Sequence, residues 1–153
     1  MSIASKPTPK GWPRISSGLT YADAAKAIDW LCRVFGFEVQ LRVDGENGKV
    51  VHSQLILGDG LIMLGDDDGA KGRTWRKSPK DIGGANTQTL MVFVDDVEAH
   101  HARAKAAGAQ IGMEPKTSDY GDEYWVDRTY EAIDLEGHHW WFVQRMKTGG
   151  KDA

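Results

Sequence analysis

Two segments of this chain end alike, and that echo constrains the fold more than any other feature of its 153 residues. Gly58-Asp59-Gly60-Leu61-Ile62-Met63-Leu64 and Leu135-Glu136-Gly137-His138-His139-Trp140-Trp141 each set an acidic-glycine turn before an apolar run, 77 residues apart. A second echo precedes each. Strand-like Arg14–Tyr21 leads into helical Asp23–Val34 and closes at Gly36-Phe37, while Thr87–Val94 leads into Asp95–Ala107 and closes at Gly108-Ala109. A chain that writes one α/β unit twice predicts two copies of the same module.

Finer patterning fills in each copy. Ile15, Leu19 and Tyr21 alternate with Ser16, Gly18 and Thr20, which predicts a strand with one polar side. Asp23 is placed as an N-cap, and Ala24, Ala27, Ile28, Leu31, Val34 and Phe35 recur at helical spacing before Gly36. Strands are then expected at Glu38–Arg42, Val50–Leu57 and Leu61–Leu64, separated by turns at 44–48 and 58–60. The second copy is expected as strand Thr87–Val94, helix Val97–Ala107 and strands Gln110–Met113, Arg128–Asp134 and His139–Gln144. Glycine-rich Gly65–Ala85 reads as the linker, and aromatic Glu114–Val126 as a long connection that covers a site. The expected organisation is a leading segment 1–13, one domain 14–145 and a frayed tail beyond it.

Composition narrows the classes. Hydrophobic residues at 41% and charged ones at 27% are ordinary for a globular domain, and no apolar run is long enough for a membrane span. Met1–Lys10 is polar with Pro7 and Pro9 and lacks an apolar stretch, and a single Cys32 has no bridge partner, so a cytoplasmic protein is expected. A net charge of -3 argues against a general nucleic-acid binder. Lys71, Arg73, Arg76, Lys77 and Lys80 are the local exception, and in a glycine-rich stretch they read as a solvated loop.

Several weak motifs in order point further: Asp-x-x-x-Ala-x-x-Trp-Leu-x-x-x-Phe-Gly-Phe at 23–37, Val-Asp-Asp-Val at 94–97 and Asp-Leu-Glu-Gly-His at 134–138. Together with the doubled module they resemble the vicinal oxygen chelate superfamily over about residues 14–145, the superfamily of glyoxalase I, extradiol dioxygenases and bleomycin-resistance proteins. The phrasing of 130–140 looks most like its bleomycin-resistance and PhnB-like branch. The resemblance implies an α+β fold in which two β-α-β-β-β modules form a curled, cavity-enclosing mixed sheet with helices on the convex side. It also implies a homodimer with a small molecule in the cavity.

In metal-dependent members of that superfamily, His, Glu or Gln side chains from the first and last strand of each module hold a divalent ion. The matching places here are Ser16 and Thr89 on the first strands and Leu64 and Trp141 on the last. Two hydroxyls, a Leu and a Trp do not make a divalent-metal donor set, and slipping the register by one residue nominates Ser17 or Ile15, Met63, Gln88 or Leu90, and Trp140 without creating one. No metal and no other cofactor is therefore expected. Of the histidines, His100 and His101 point about 100° apart on a helix, which spoils chelation by the pair, and His138 is expected to bond within its turn.

If Ser16, Thr89 and Trp141 share an inner face, alternation adds Gly18, Thr20, Met91, Phe93 and His139, with Gln54, Ile56, Ile62 and Glu131 behind them. Tyr120, Tyr124 and Trp125 are placed to close over that face. The list is aromatic, soft and sparsely polar, which suits a flat organic ligand held by stacking. Six Trp fit such a lining better than a core alone, and Glu131 would favour a cation against aromatic faces. Three functions compete. One is a metal-free binding protein for an aromatic small molecule, with a cation favoured; the second is an enzyme, either a lyase or dioxygenase with relocated metal ligands or a metal-free acid–base catalyst using Glu131, His139 or Tyr124. The third is a scaffold that uses only its dimer surface.

Overall fold

A computed structural model describes residues 2–68 and 71–150. Its elements are β1 (Ser17–Tyr21), α1 (Ala24–Phe35), β2 (Glu38–Asp44), β3 (Val50–Leu57), β4 (Gly60–Asp66), β5 (Leu90–Phe93), α2 (Val97–Ala106), β6 (Gln110–Asp119), β7 (Trp125–Ile133) and β8 (His139–Thr148). The doubled β-α-β-β-β reading holds, and the fold is α+β. The chain divides into two compact units, residues 1–78 and 79–153, each carrying one four-stranded mixed sheet. Strand order is β1-β4-β3-β2 in the first and β5-β8-β7-β6 in the second, so each module pairs its first and last strands in parallel. Each sheet is hydrogen-bonded within its own module. Among the described residues no helix is long and apolar enough to cross a membrane.

In the first module the core is the apolar stripe of α1 against one sheet face: Ala27, Ile28, Leu31 and Phe35 meet Leu19, Tyr21, Leu55, Ile62 and Leu64, all buried. Asp23 accepts from Lys26 N at 3.0 Å, and Gly36 ends the helix at φ 86°, a left-handed position that suits glycine. Helix α2 buries only Val97 and Ala104, so its anchoring falls to histidines. The His100 ring lies 4.2 Å from that of Phe142, and its Nδ1 is 2.6 Å from the Tyr130 hydroxyl. His101 meets the Tyr130 ring edge-on at 5.1 Å, with Nε2 2.7 Å from Glu114 Oε2. Burial pushes the Tyr130 phenol up, so it keeps its proton for that contact. Both histidines are half-buried, and their ring contacts anchor α2 on its sheet.

Several boundaries differ from the sequence expectation. β1 starts at Ser17, leaving Ile15 87% exposed instead of packed with Leu19. β5 shrinks to Leu90–Phe93 because the Asn86 side chain takes the preceding pairing positions, donating to Gly137 O at 2.9 Å and accepting from His139 N at 3.3 Å. β4 runs on to Asp66 and takes the first residues of the expected linker, of which Gly69 and Ala70 lie outside the described residues. The expected covering segment Glu114–Val126 is the β6–β7 hairpin. Pro115 is accommodated because β6 is an edge strand, and a register shift between Met113 and Lys116 absorbs it. Gly121, at φ 102°, makes the turn. β8 continues to Thr148 and takes the first three residues of the expected tail, 146–148; residues 151–153 lie outside the described residues, as does Met1 of the leading segment.

Three side-chain acceptors fix these modules, two of them, Asp66 and Asp134, buried. Asp66 takes Ala24 N at 2.9 Å and Val50 N at 2.6 Å, and Gln144 Oε1 takes Val97 N at 3.0 Å at the matching helix start. Asp134 Oδ1 accepts from the N–H groups of Glu136, Gly137 and His138, each at 3.0 Å, and its Oδ2 from Trp140 Nε1 at 3.1 Å. His138 thus bonds within its turn, as expected. Asp134→Ala should lower unfolding free energy by about 3 kcal/mol, because several buried donors lose a charged acceptor together. Asp134→Asn, which keeps one acceptor but turns an amide N–H towards the indole N–H, should cost about half as much. Urea unfolding checks both, and a loss below about 1 kcal/mol for the alanine variant would contradict this assignment.

Candidate functional site

The helix covers one face of each sheet and leaves the other open. In the second module, register aligns Met91 on β5, Trp141 on β8, Glu131 on β7 and Met113 on β6 in one row across the open face. Phe93, Val143 and Thr129 form the next row. Met91 is 60% and Phe93 53% exposed, large apolar side chains left without cover in their own module. Trp140, Phe142, Tyr130 and Ala132, one residue out of phase, are fully buried against α2.

The polar groups of this face are paired. His139 Nδ1 and the Glu131 carboxylate share a hydrogen bond, and Glu131 lies over Gly112, where a Cβ would come within 3.0 Å of its Cδ. At the other end Arg145 Nε donates to Asp127 Oδ1 at 2.6 Å. The Arg145 guanidinium carbon sits 4.8 Å from the Trp125 ring centroid and 5.5 Å from that of Phe93, a cation between two π faces. Tyr124 meets Trp125 edge-on and Tyr120 lies tilted to it, both at 6.1 Å, so the three aromatics form the hairpin end rather than a separate flap.

The first module has a barer open face with a real concavity. Gly18 pairs with Met63 and Thr20 with Gly65, and Gln54 lies beside Met63 with its Nε2 2.9 Å from His52 Nε2. Arg76 returns across this floor: its Nε donates to Thr20 Oγ1 at 3.0 Å, and a Cβ on Gly65 would approach its Nη2 to 3.3 Å. The cavity so framed measures about 550 Å³ and is bounded by His52, Met63, Asp68, Trp75 and Arg76. Burial alone would raise the Asp68 carboxyl, but its hydrogen bond to Arg73 and the charges of Arg73 and Arg76 outweigh that and hold it below the usual carboxylate range.

The structure brings Met91, Phe93, Glu131, His139 and Trp141 together on one face, with Trp125 joined through Arg145. Gln54 lies on the open face of the other module. Ser16 and Thr89 stand just ahead of their strands, in phase with Gly18 and Met91; the Ser16 hydroxyl is buried without a partner among the described residues, and Thr89 is exposed. Two residues fall on the opposite side from expectation. Leu64 and Ile62 pack under α1, and Met63 takes the place that matches Trp141. Gln54 and Glu131 are 77 residues apart but their partners Met63 and Trp141 are 78, because the second hairpin is one residue longer, and one residue changes face. Sequence reasoning also missed Arg76. The signal was the acidic run Asp66–Asp68 ahead of the basic cluster: Arg73 and Arg76 pair with Asp68 and Lys77 with Asp67, so the cluster is tied down rather than freely solvated.

The chain matches the family model of the glyoxalase/bleomycin resistance protein/dioxygenase superfamily over residues 14–142. It belongs to that superfamily. Among its relatives, Uncharacterized protein Rv0887c of Mycobacterium tuberculosis is 33% identical over 144 residues, covering 92% of this chain and 79% of that one. TioX from Micromonospora sp. ML1 superposes with TM-score 0.64 at 34% identity, covering 86% of this chain and 95% of that one. TnmS3, an antibiotic binding protein from Streptomyces sp. CB03234, shares the fold with TM-score 0.63 at 21% identity over 85% and 93% of the two chains.

The metal known in parts of the glyoxalase superfamily does not fit these faces. First and last strands present Gly18, Met63, Met91 and Trp141 to one another, and neither a bare backbone nor thioethers and an indole suit a hard divalent ion. Among the described residues no three His, Cys, Asp or Glu side chains converge as a metal group, and Glu131 with His139 makes two. Cys32 is no nucleophile either: it sits half-buried on α1, and burial, then the charges of Asp29 and Glu38, push its thiol up. Alkylation by iodoacetamide at pH 8 should therefore be several-fold slower in native than in urea-unfolded protein. Faster reaction in the native state would mean an activated thiol.

Proposed function

We propose that this member of the glyoxalase/bleomycin resistance superfamily is a metal-independent binding protein for a flat aromatic small molecule, held on the open sheet faces. The observation that carries this reading is the exposed row around Met91, Phe93 and Trp141, apolar area that a protein leaves uncovered where something docks. The donor chemistry of the strand positions supports metal independence, and the same fold serves an antibiotic binding protein in Streptomyces sp. CB03234. A cationic ligand is disfavoured. Glu131 is already engaged by His139, and guanidinium groups of Arg76 and Arg145 lie on the open faces.

Saturable quenching of tryptophan fluorescence by such a ligand, without turnover, is the expected result. Trp141→Ala should weaken binding roughly tenfold through lost stacking and buried area, and dialysis against EDTA should leave it unchanged. EDTA-sensitive binding would overturn metal independence. The competing reading is a lyase or dioxygenase-type enzyme, favoured by one observation: Glu131 orients His139 on the open face as an acid–base pair requires. Consumption of the bound ligand, abolished by His139→Gln, would establish it instead. Self-association belongs to the proposal as well, since edge strand β2 exposes Val39, Leu41 and Val43. Light scattering should give a dimer mass, and a monomer would remove that part.

A further inference from the structure

The cavity of the first module contains an unfinished hydrogen-bond pair. Asp68 Oδ1 is buried and has no hydrogen-bond partner among the described residues, although Asp68 Oδ2 is held by Arg73. Arg76 Nη1 stands 3.8 Å from that oxygen, an ion-pair distance too long for a hydrogen bond. Arg76 is itself fixed, because Nε is bound to Thr20 and the bare Gly65 lets the guanidinium lie on the sheet. Among the described residues its Nη groups make no hydrogen bond. A buried carboxylate oxygen left in this state costs free energy until something donates to it.

An oxygen placed about 2.8 Å from each of these two atoms closes the gap, since both contacts then have ordinary hydrogen-bond length. It must accept from Arg76 and donate to Asp68 at once. A hydroxyl does both, whereas a carboxylate only accepts and would face the Asp68 charge, and an ammonium only donates and would face the Arg76 charge. The rest of the cavity suits a ring: Gly18 projects no side chain, Met63 offers a thioether, and Trp75 and His52 stand at the rim. Its volume of about 550 Å³ takes two or three fused rings.

We infer that the cavity of the first module selects a planar aromatic ligand by a ring hydroxyl, which accepts from Arg76 Nη1 and donates to Asp68 Oδ1. This rests on the aromatic-ligand reading above and names the polar group the ligand carries.

The test is a titration of four matched probes, 2-naphthol, 2-methoxynaphthalene, 2-naphthoate and 2-naphthylmethylammonium, followed by the Met63 methyl resonance in protein carrying ¹³C-methyl methionine. 2-Naphthol should bind about tenfold more tightly than the other three, the difference that a hydrogen bond to a charged group brings. Arg76→Met and Asp68→Ala should each bring 2-naphthol to the level of 2-methoxynaphthalene while leaving the latter unchanged. If either variant fails to fold, Thr20→Val, which removes the anchor of Arg76 Nε, should lower the same preference. Equal binding of all four probes overturns the hydroxyl inference and leaves the aromatic reading standing, with water filling the gap. Preference for the carboxylate or the ammonium overturns it in favour of recognition by Arg76 or Asp68 alone. No shift with any probe overturns both readings at this cavity.

Discussion

One side-chain acceptor on the last strand of each module decides which way everything else points. Asp66 on β4 receives the first N–H of α1, and Gln144 on β8 receives the first N–H of α2. Those N–H groups have no partner within the helix, so the acceptor both completes the helix and docks it on the strand. Because strand side chains alternate, placing Asp66 under α1 also places Leu64 and Ile62 there and turns Met63 and Gly65 outward. Gln144 likewise buries Phe142 and Trp140 and turns Trp141 and Val143 to the open face. The open-face set of each module is thus the complement of its helix-docking set.

The second helix shows how far this docking outranks amphipathicity. α1 would be recognised as a core helix from its apolar stripe, whereas α2 buries two small apolar residues and gains its grip from imidazoles on Tyr130 and Phe142. Its N-cap Asp96, bonded to Ala99 N at 3.0 Å, and the Gln144 contact place its start. The doubled module, the helices and the grouping of Glu131, His139 and Trp141 on one face were legible in the chain, because each rests on local periodicity or capping. The register between Met63 and Trp141 was not legible. It depends on one extra residue in a hairpin, which an offset measured at the turns does not reveal. Arg76 was illegible for a related reason: its partner Thr20 is 56 residues away, and no local pattern connects them.

Charge on the open faces is arranged for neutrality at short range. Glu131 meets His139, Asp127 meets Arg145, and Asp68 meets Arg73 with Arg76 nearby. Pairing lowers the cost of holding charges beside exposed rings. A face whose carboxylates are already bonded to cations offers little to a free ammonium, and what it leaves open is ring surface and a few unsatisfied polar atoms.

The two open faces differ in relief. The second module fills its row with Met91, Phe93 and Trp141 and holds Arg145 between aromatic faces, a surface of polarisable groups with little depth of its own. In the first module the facing positions Gly18 and Gly65 carry no side chain, and this creates the depth that the Arg76 segment then roofs. Both modules inherit the same parity from their helix acceptors, so the difference lies only in side-chain size at matched places. A fold shared by enzymes and binding proteins can therefore change its ligand by altering these few positions, with no change to the core on the other side of each sheet.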